Sequence, residues 1–65
     1  MIKTAIRFKN NMVMVFDKRG EQIPKYQGQY EKVKGSISRD APAEAVFALG
    51  FSDDGELRKV LPEQW

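Results

Sequence analysis

The residues best suited to chemistry form one acidic run, Asp53-Asp54-Gly55-Glu56. Carboxylate oxygens are ligands for Mg²⁺ and Ca²⁺, and a pair of carboxylates is what glycoside hydrolysis requires. The run lacks the ligand spacing of an EF-hand loop, and no second acidic cluster accompanies it in the sequence. Asp-Gly is also a strong signal for a hairpin turn, which we favour as the interpretation of this run. The sequence therefore predicts no metal site and no cofactor.

Most other catalytic arrangements are excluded by residue types that the sequence lacks. The 65 residues contain no Cys and no His, so there is no Ser-His-Asp triad, no Cys-His pair and no HExxH metal site. The phosphate-binding patterns GxxxxGK[ST] and GxGxxG are also absent. A chain this short offers little room for a substrate cleft. We therefore expect a protein that is not an enzyme and has no small-molecule substrate.

Basic residues form the second group with a chemical use, because rows of Lys and Arg can follow a phosphate backbone. The net charge is only +2, but the first 39 residues are basic and the remaining ones are acidic. One predicted row lies on the outer face of the first strand and another along the helix; together they contain Lys3, Arg7, Lys9, Lys25, Lys32 and Arg39. Proteins that bind single-stranded nucleic acid place aromatic residues among their basic residues, where the bases stack on them. Here the aromatic residues occupy core-like positions instead. A solvated surface is the favoured interpretation, and nucleic-acid contact is the alternative.

The first part of the chain has the pattern of a strand hairpin. Residues 2–9 alternate between apolar and polar, which predicts a half-buried strand. Asn10-Asn11 predicts a two-residue turn, since Asn tolerates the left-handed conformation, and a second strand follows over 12–16. Residues 17–20 predict another turn, and we expect residues 21–23 to pair briefly with the sheet after it.

The middle of the chain has helical spacing instead. Four apolar residues recur at intervals of four, three and four and would form one narrow stripe on a helix: Tyr26, Tyr30, Val33 and Ile37. We expect this helix to end near Arg39, because Pro42 disfavours a helical conformation at Ala41. Glycine occurs at positions 28 and 35 of this region. We favour a helix that starts after Gly28 and tolerates Gly35.

The last third of the chain is open to two interpretations. Asp40 could cap a second short helix, or residues 45–51 could form a strand with Phe47, Leu49 and Phe51 on one face. We favour the strand, which would turn at Asp53-Asp54-Gly55 into a return strand over 57–61. The predicted fold is α+β: a small antiparallel sheet of two hairpins with one helix packed across it, in the order β-β-α-β-β.

The predicted strands are apolar on both faces. In the second strand Met12, Met14 and Phe16 alternate with two valines, and the third strand alternates in the same way. Strands of this kind are normally covered on both sides, but one helix covers only one. The predicted contact surface consists of Val13, Val15, Val46, Ala48 and Trp65. Residues 61–65, a second copy of the chain or a partner protein are the three candidates to cover it.

Residues 1–65 are interpreted as a single domain without repeats or linkers. No apolar stretch is long enough for a bilayer span or for the core of a signal peptide, so no membrane partner is expected. The absence of Cys fits a reducing compartment. We therefore expect a cytoplasmic protein.

A resemblance to other proteins rests on six stretches spread over almost the whole chain: MIKTAIR, KNNMVMVFD, GEQIP, YExV, DAP with AVF, and PEQW. In these stretches the chain resembles short uncharacterised proteins of bacterial prophages and mobile elements. The resemblance implies a small accessory protein of a phage or mobile element that acts by binding a host or phage macromolecule. It implies no activity, and it identifies no functional residue.

Two functional hypotheses follow from the sequence. The first is a protein-interaction module, expected to self-associate as a homodimer, that uses the uncovered face of the sheet. The second is a nucleic-acid-binding accessory protein that uses the basic surface of the first strand and the helix.

Overall fold

Residues 1–50 and 56–65, which the computed structural model describes, form five strands, one α-helix and two single-turn 3-10 helices. The strands are β1 Thr4–Phe8, β2 Met12–Phe16, β3 Gly28–Gln29, β4 Val46–Gly50 and β5 Arg58–Val60. The helix α1 is Tyr30–Asp40, and the 3-10 helices are Pro24–Tyr26 and Pro62–Gln64. The expected small α+β domain with one helix is confirmed.

The sheet is mixed, not antiparallel as predicted. Its strand order is β3-β2-β1-β4-β5. β1 pairs with β2, β2 with β3 and β4 with β5 in antiparallel orientation, but the central pair, β1 with β4, is parallel. Both predicted strand pairs are present, although the predicted turn at 53–55 lies outside the described residues.

β1 and β4 are parallel because the chain reverses direction once more before α1, within the segment whose apolar spacing is helical. The expected helix that starts after Gly28 and tolerates Gly35 is confirmed, but Tyr26 of the apolar stripe lies in a 3-10 helix, and the chain first runs back along β2 and pairs Gly28 with Val13. Gly28 has a φ of 141°, a conformation that favours glycine. α1 therefore starts only at Tyr30, and β4, which follows it, enters the sheet in the same direction as β1.

Two turns depend on the residue types that predicted them. The first connection, residues 9–11, has three residues instead of two, and Asn11 has the left-handed φ of 64° typical of such loops. In the second, the Asp17 carboxylate accepts the backbone N–H groups of Arg19 and Glu21 at 2.8 and 3.0 Å. These bonds lower the pKa of Asp17, that from Glu21 most. The brief pairing after this turn is also confirmed, as a bridge between Phe16 and Gln22.

The helix ends where the proline predicts. α1 stops at Asp40, and Ala41 is extended with φ −71° and ψ 130°, as expected for a residue before Pro42. The following residues form the favoured strand, β4, and not a second helix. Neither α1 nor the 3-10 helices are long and apolar enough to cross a membrane.

Candidate protein-binding face

The pairing register divides the strand residues between two faces of the sheet. We call the face toward α1 the first face; it comprises Ala5, Arg7, Val13, Val15, Phe47, Leu49, Arg58 and Val60. The opposite, second face comprises Thr4, Ile6, Phe8, Met12, Met14, Phe16, Val46, Ala48, Gly50 and Lys59. The sequence predicted two apolar faces, and both exist.

The predicted contact surface combined residues of both faces and is corrected by the register. Ala5 pairs with Val15 on one side and with Phe47 on the other, so the valines of β2 share a face with Phe47 and not with Val46. Val13 and Val15 are fully buried beneath the helix and offer no surface to a partner. Of the five predicted residues, those on the second face are Val46 and Ala48.

Trp65 belongs to the core on the first face. Its ring lies edge-on to Tyr30 and Phe47, with centroids 5.3 and 5.1 Å away, and its Nε1–H donates to the carbonyl oxygen of Ala48 at 3.0 Å. Only 5% of Trp65 is exposed. The segment that contains Trp65 therefore closes the face that the helix already covers, and its tryptophan does not cover the other one.

Arg7 holds Trp65 in place and does not belong to an outer basic row. Its guanidinium carbon lies 3.8 Å from the centroid of the Tyr30 ring, a cation–π geometry. Nη1 donates to the main-chain oxygen of Trp65 at 2.9 Å, while Nε and Nη2 both donate to Oδ1 of Asn11. These contacts use the guanidinium to join β1, α1 and the residues after β5.

The other predicted nucleic-acid contacts do not form two rows. Lys25 lies in a 3-10 helix and not on α1, near the ring of Tyr26. Lys32 and Arg39 share one side of α1, two turns apart, and Arg39 forms an ion pair with Asp40 at 3.2 Å. Lys3 and Lys9 are exposed at the two ends of β1. The structure thus keeps Lys32 near Arg39 and separates the remaining residues.

The start of the helical region and the end of α1 are joined by one hydrogen bond. The Tyr26 hydroxyl donates to Oδ2 of Asp40 at 2.6 Å. This bond lowers the pKa of Asp40, with a smaller contribution from Arg39, and raises the pKa of Tyr26. Tyr26 thereby extends the apolar stripe of α1 from outside the helix, which explains why the sequence spacing included it.

The second face has no covering layer among the described residues, since α1 and the core cluster around it lie on the first face. Its centre is formed by Ile6 and Ala48, which are 7% and 2% exposed. Around them stand bulkier side chains that are half-buried, Phe8, Met14 and Phe16, and Met12, which is 37% exposed. The second face is therefore apolar throughout its centre, and the larger side chains around the centre are partly exposed.

One end of this face contains a shallow concavity of about 600 Å³. Phe8 forms one side and leans over Gly50, where an added Cβ would lie 3.0 Å from the Phe8 ring. Met12 and Met14 form the other side, and polar groups are supplied by Lys9, Asn10 and Gln27. Methionine side chains are flexible and polarizable, so they adapt to partners of different shape.

The described residues contain no cluster of three or more carboxylate, imidazole or thiolate groups that would hold a metal ion. Of the acidic run that suggested one, Glu56 is described and is exposed, and residues 53–55 lie outside the described part. Every buried side-chain nitrogen and oxygen within residues 1–50 and 56–65 has a hydrogen-bond partner.

No protein-family model, curated protein or solved structure matches this chain. The resemblance to proteins of prophages and mobile elements stays a prediction.

Proposed function

We propose that this chain is a protein-binding module and that the second face is its contact surface. The observation that carries the proposal is an apolar sheet face that no described element covers. Exposed apolar patches rimmed by polar residues mark interaction sites in soluble proteins. The polar groups of Lys9, Asn10 and Gln27 at the concavity supply such a rim.

The edges of the sheet are poorer candidates for contact than this face. β5, at one edge, has three residues, and Arg58 and Lys59 are both exposed. Charged residues on a short edge strand are a common protection against pairing with a further strand. β3, at the other edge, has two residues. A partner therefore gains more by covering side chains of the face than by extending the sheet.

A second copy of the chain is one form that the partner could take, and a different protein is the other. Nucleic-acid binding remains an alternative function, but the separation of Arg7 and Lys25 from the remaining basic residues weakens the surface it would use. Steep loss of binding with salt is the signature of phosphate contact, so salt dependence separates that alternative from an apolar contact.

The test uses three forms of the full chain: the original sequence, the double variant Met12→Gln with Met14→Gln, and the control Leu61→Gln. Glutamine keeps the length of methionine and removes its apolar character. Leu61 is 57% exposed and does not line the concavity, so its variant controls for the loss of an exposed apolar side chain away from the two methionines. Each form is sedimented at several concentrations and is used to capture proteins from a bacterial lysate at low and moderate salt.

The proposal predicts an association, with itself or with a captured protein, that the original chain and Leu61→Gln share and the double variant loses. It also predicts that this association persists at moderate salt. If the three forms behave alike, or if only nucleic acid is retained and salt removes it, the second face is not the functional surface.

A further inference from the structure

We infer that the second face receives an amphipathic α-helix of a partner protein, about three turns long, with acidic side chains beside its apolar stripe. This inference rests on the proposed function and names the chemistry of the partner. It is drawn from the layering of the sheet, the size of the face and the charges around it.

The first argument is that the sheet has a helical layer on one face only. Strands that are apolar on both sides are normally buried on both faces, and β2, β1 and β4 contribute apolar residues to both faces of this sheet. α1 covers the first face only. A helix on the second face would complete the common arrangement in which a sheet lies between two helical layers.

The size of the face fits one short helix. β2, β1 and β4 each have five residues, so the apolar centre of the face over these three strands is about 17 Å long and roughly 10–15 Å wide. α1 has 11 residues and packs through Ile37 against first-face residues of the same strands, and a helix of that length spans about 16 Å. A helix of similar length presents three apolar side chains on one side, as α1 does with Tyr30, Val33 and Ile37.

The same dimensions argue against a second copy as the occupant. An apolar centre of about 17 by 15 Å is well below the ~800 Å² per partner of a standard stable interface. Direct stacking of two second faces would also bring two copies of Lys59 toward one surface. A small face fits a weaker, exchangeable contact with a helix that enters the concavity between Phe8 and Met12.

The charge of this surface favours an acidic partner. Lys59 lies on the second face beside Ala48, is exposed and forms no ion pair within residues 1–50 and 56–65. No described residue of the second face or the concavity is acidic. Charges around an apolar contact select partners of opposite charge, so glutamates beside the apolar stripe would be preferred over lysines.

The test uses two mixtures of synthetic peptides of about 14 residues, which is four helical turns. In the first mixture Leu, Ile, Phe or Met occupies positions i, i+3 and i+7, and Glu, Lys, Gln or Ala fills the rest. In the second, with the same composition, the apolar positions are i, i+2 and i+4, which is the period of a strand. Both are passed over the immobilised full chain and over its Met12→Gln, Met14→Gln form, and retained peptides are identified by mass spectrometry.

The inference predicts that peptides with helical spacing are retained roughly tenfold more by the original chain than by the double variant, since several buried apolar contacts are lost. Among them Glu should exceed Lys beside the apolar stripe by roughly threefold. Lys59→Glu should remove or reverse this preference, whereas Lys32→Glu, an exposed charge on α1, should leave it unchanged. Preferred retention of the strand-spaced mixture, a preference for Lys, or no retention that depends on the two methionines would overturn the inference.

Failure of this inference is distinct from failure of the proposed function. A dimer that forms in sedimentation and is lost in the double variant overturns the acidic helix and supports the second face as a contact surface. Absence of every association that depends on Met12 and Met14, with peptides, lysate proteins or itself, overturns both.

Discussion

The two faces of one sheet are built from different apolar residues. On the first face the strands contribute Ala5, Val13 and Val15, which are all fully buried. On the second they contribute larger or more flexible side chains, such as Phe8 and Met12. Both faces mix small and large residues, since the first also contains Phe47 and the second also contains Ala48, so the faces differ in how far their outer side chains are buried and not in size alone.

The largest difference between the faces should appear when one side chain is truncated on each. Trp65→Ala removes a buried indole from between Tyr30 and Phe47 and should lower the free energy of unfolding by about 3–5 kcal/mol. Met12→Ala, at the exposed rim of the second face, should cost less than about 1 kcal/mol. Urea unfolding followed by circular dichroism measures both. Equal losses would mean that the second face is as tightly packed as the first.

A matched pair of valines gives a sharper comparison. Val15→Thr places a hydroxyl of nearly the same volume in a fully buried position on the first face, where it should cost about 1–3 kcal/mol as an unsatisfied polar group. Val46→Thr makes the same change at a half-buried position on the second face and should cost less than about 0.5 kcal/mol. Thermal unfolding of the two variants is the measurement. A larger loss at Val46 would show that the second face is closed within this chain.

The smallest effect concerns the hydrogen bond that secures the end of α1 over the first face. Because the folded-state pKa of Asp40 is lowered, its contribution to stability is present above the ordinary value of 3.8 and is lost as the pH falls through the folded-state pKa. The pKa of Tyr26 is raised, so its contribution is present below 10.0 and is lost as the pH rises further. Tyr26→Phe should flatten both limbs.

Urea midpoints of the original chain and of Tyr26→Phe between pH 2 and pH 11 measure this effect. Asp17 also has a lowered pKa and is unchanged in the variant, so part of the acid limb should persist. If the two profiles coincide throughout, the Tyr26–Asp40 bond contributes nothing to folding.

Local patterns predicted most of the elements but not their arrangement. The Asn10-Asn11 turn, the Asp17 turn, the end of α1 before Pro42 and β4 all follow from residues close together in the sequence. The parallel pairing of β1 with β4 does not, because it depends on a reversal at Gly28 within a segment whose apolar spacing is helical. Tyr26 belongs to the stripe of α1 in space without belonging to the helix.

The sequence predicted that the sheet has a second apolar face, but it did not predict which residues form that face. Two apolar faces are visible in the alternation of β2, but which face meets the helix depends on how β2, β1 and β4 align, and alignment is not encoded in any one strand. Arg7 is similar: its alternation with Lys3 and Lys9 indicates an outer row, while its partners Tyr30 and Trp65 lie far along the chain. One usable signal was present, since Ala5 beside Arg7 leaves room for a helix and for a stacked guanidinium.

The parallel pairing of β1 with β4 sets the order in which the sheet can form. β1 can meet β2 as soon as the first hairpin has been synthesised, but its other neighbour follows only after α1. Contacts between distant segments slow folding, because the intervening chain loses entropy before the contact stabilises anything. Trp65, 58 positions beyond Arg7, arrives later still. The first hairpin must therefore wait with an open edge and exposed methionines, and we expect this interval on the ribosome to govern how readily the chain aggregates.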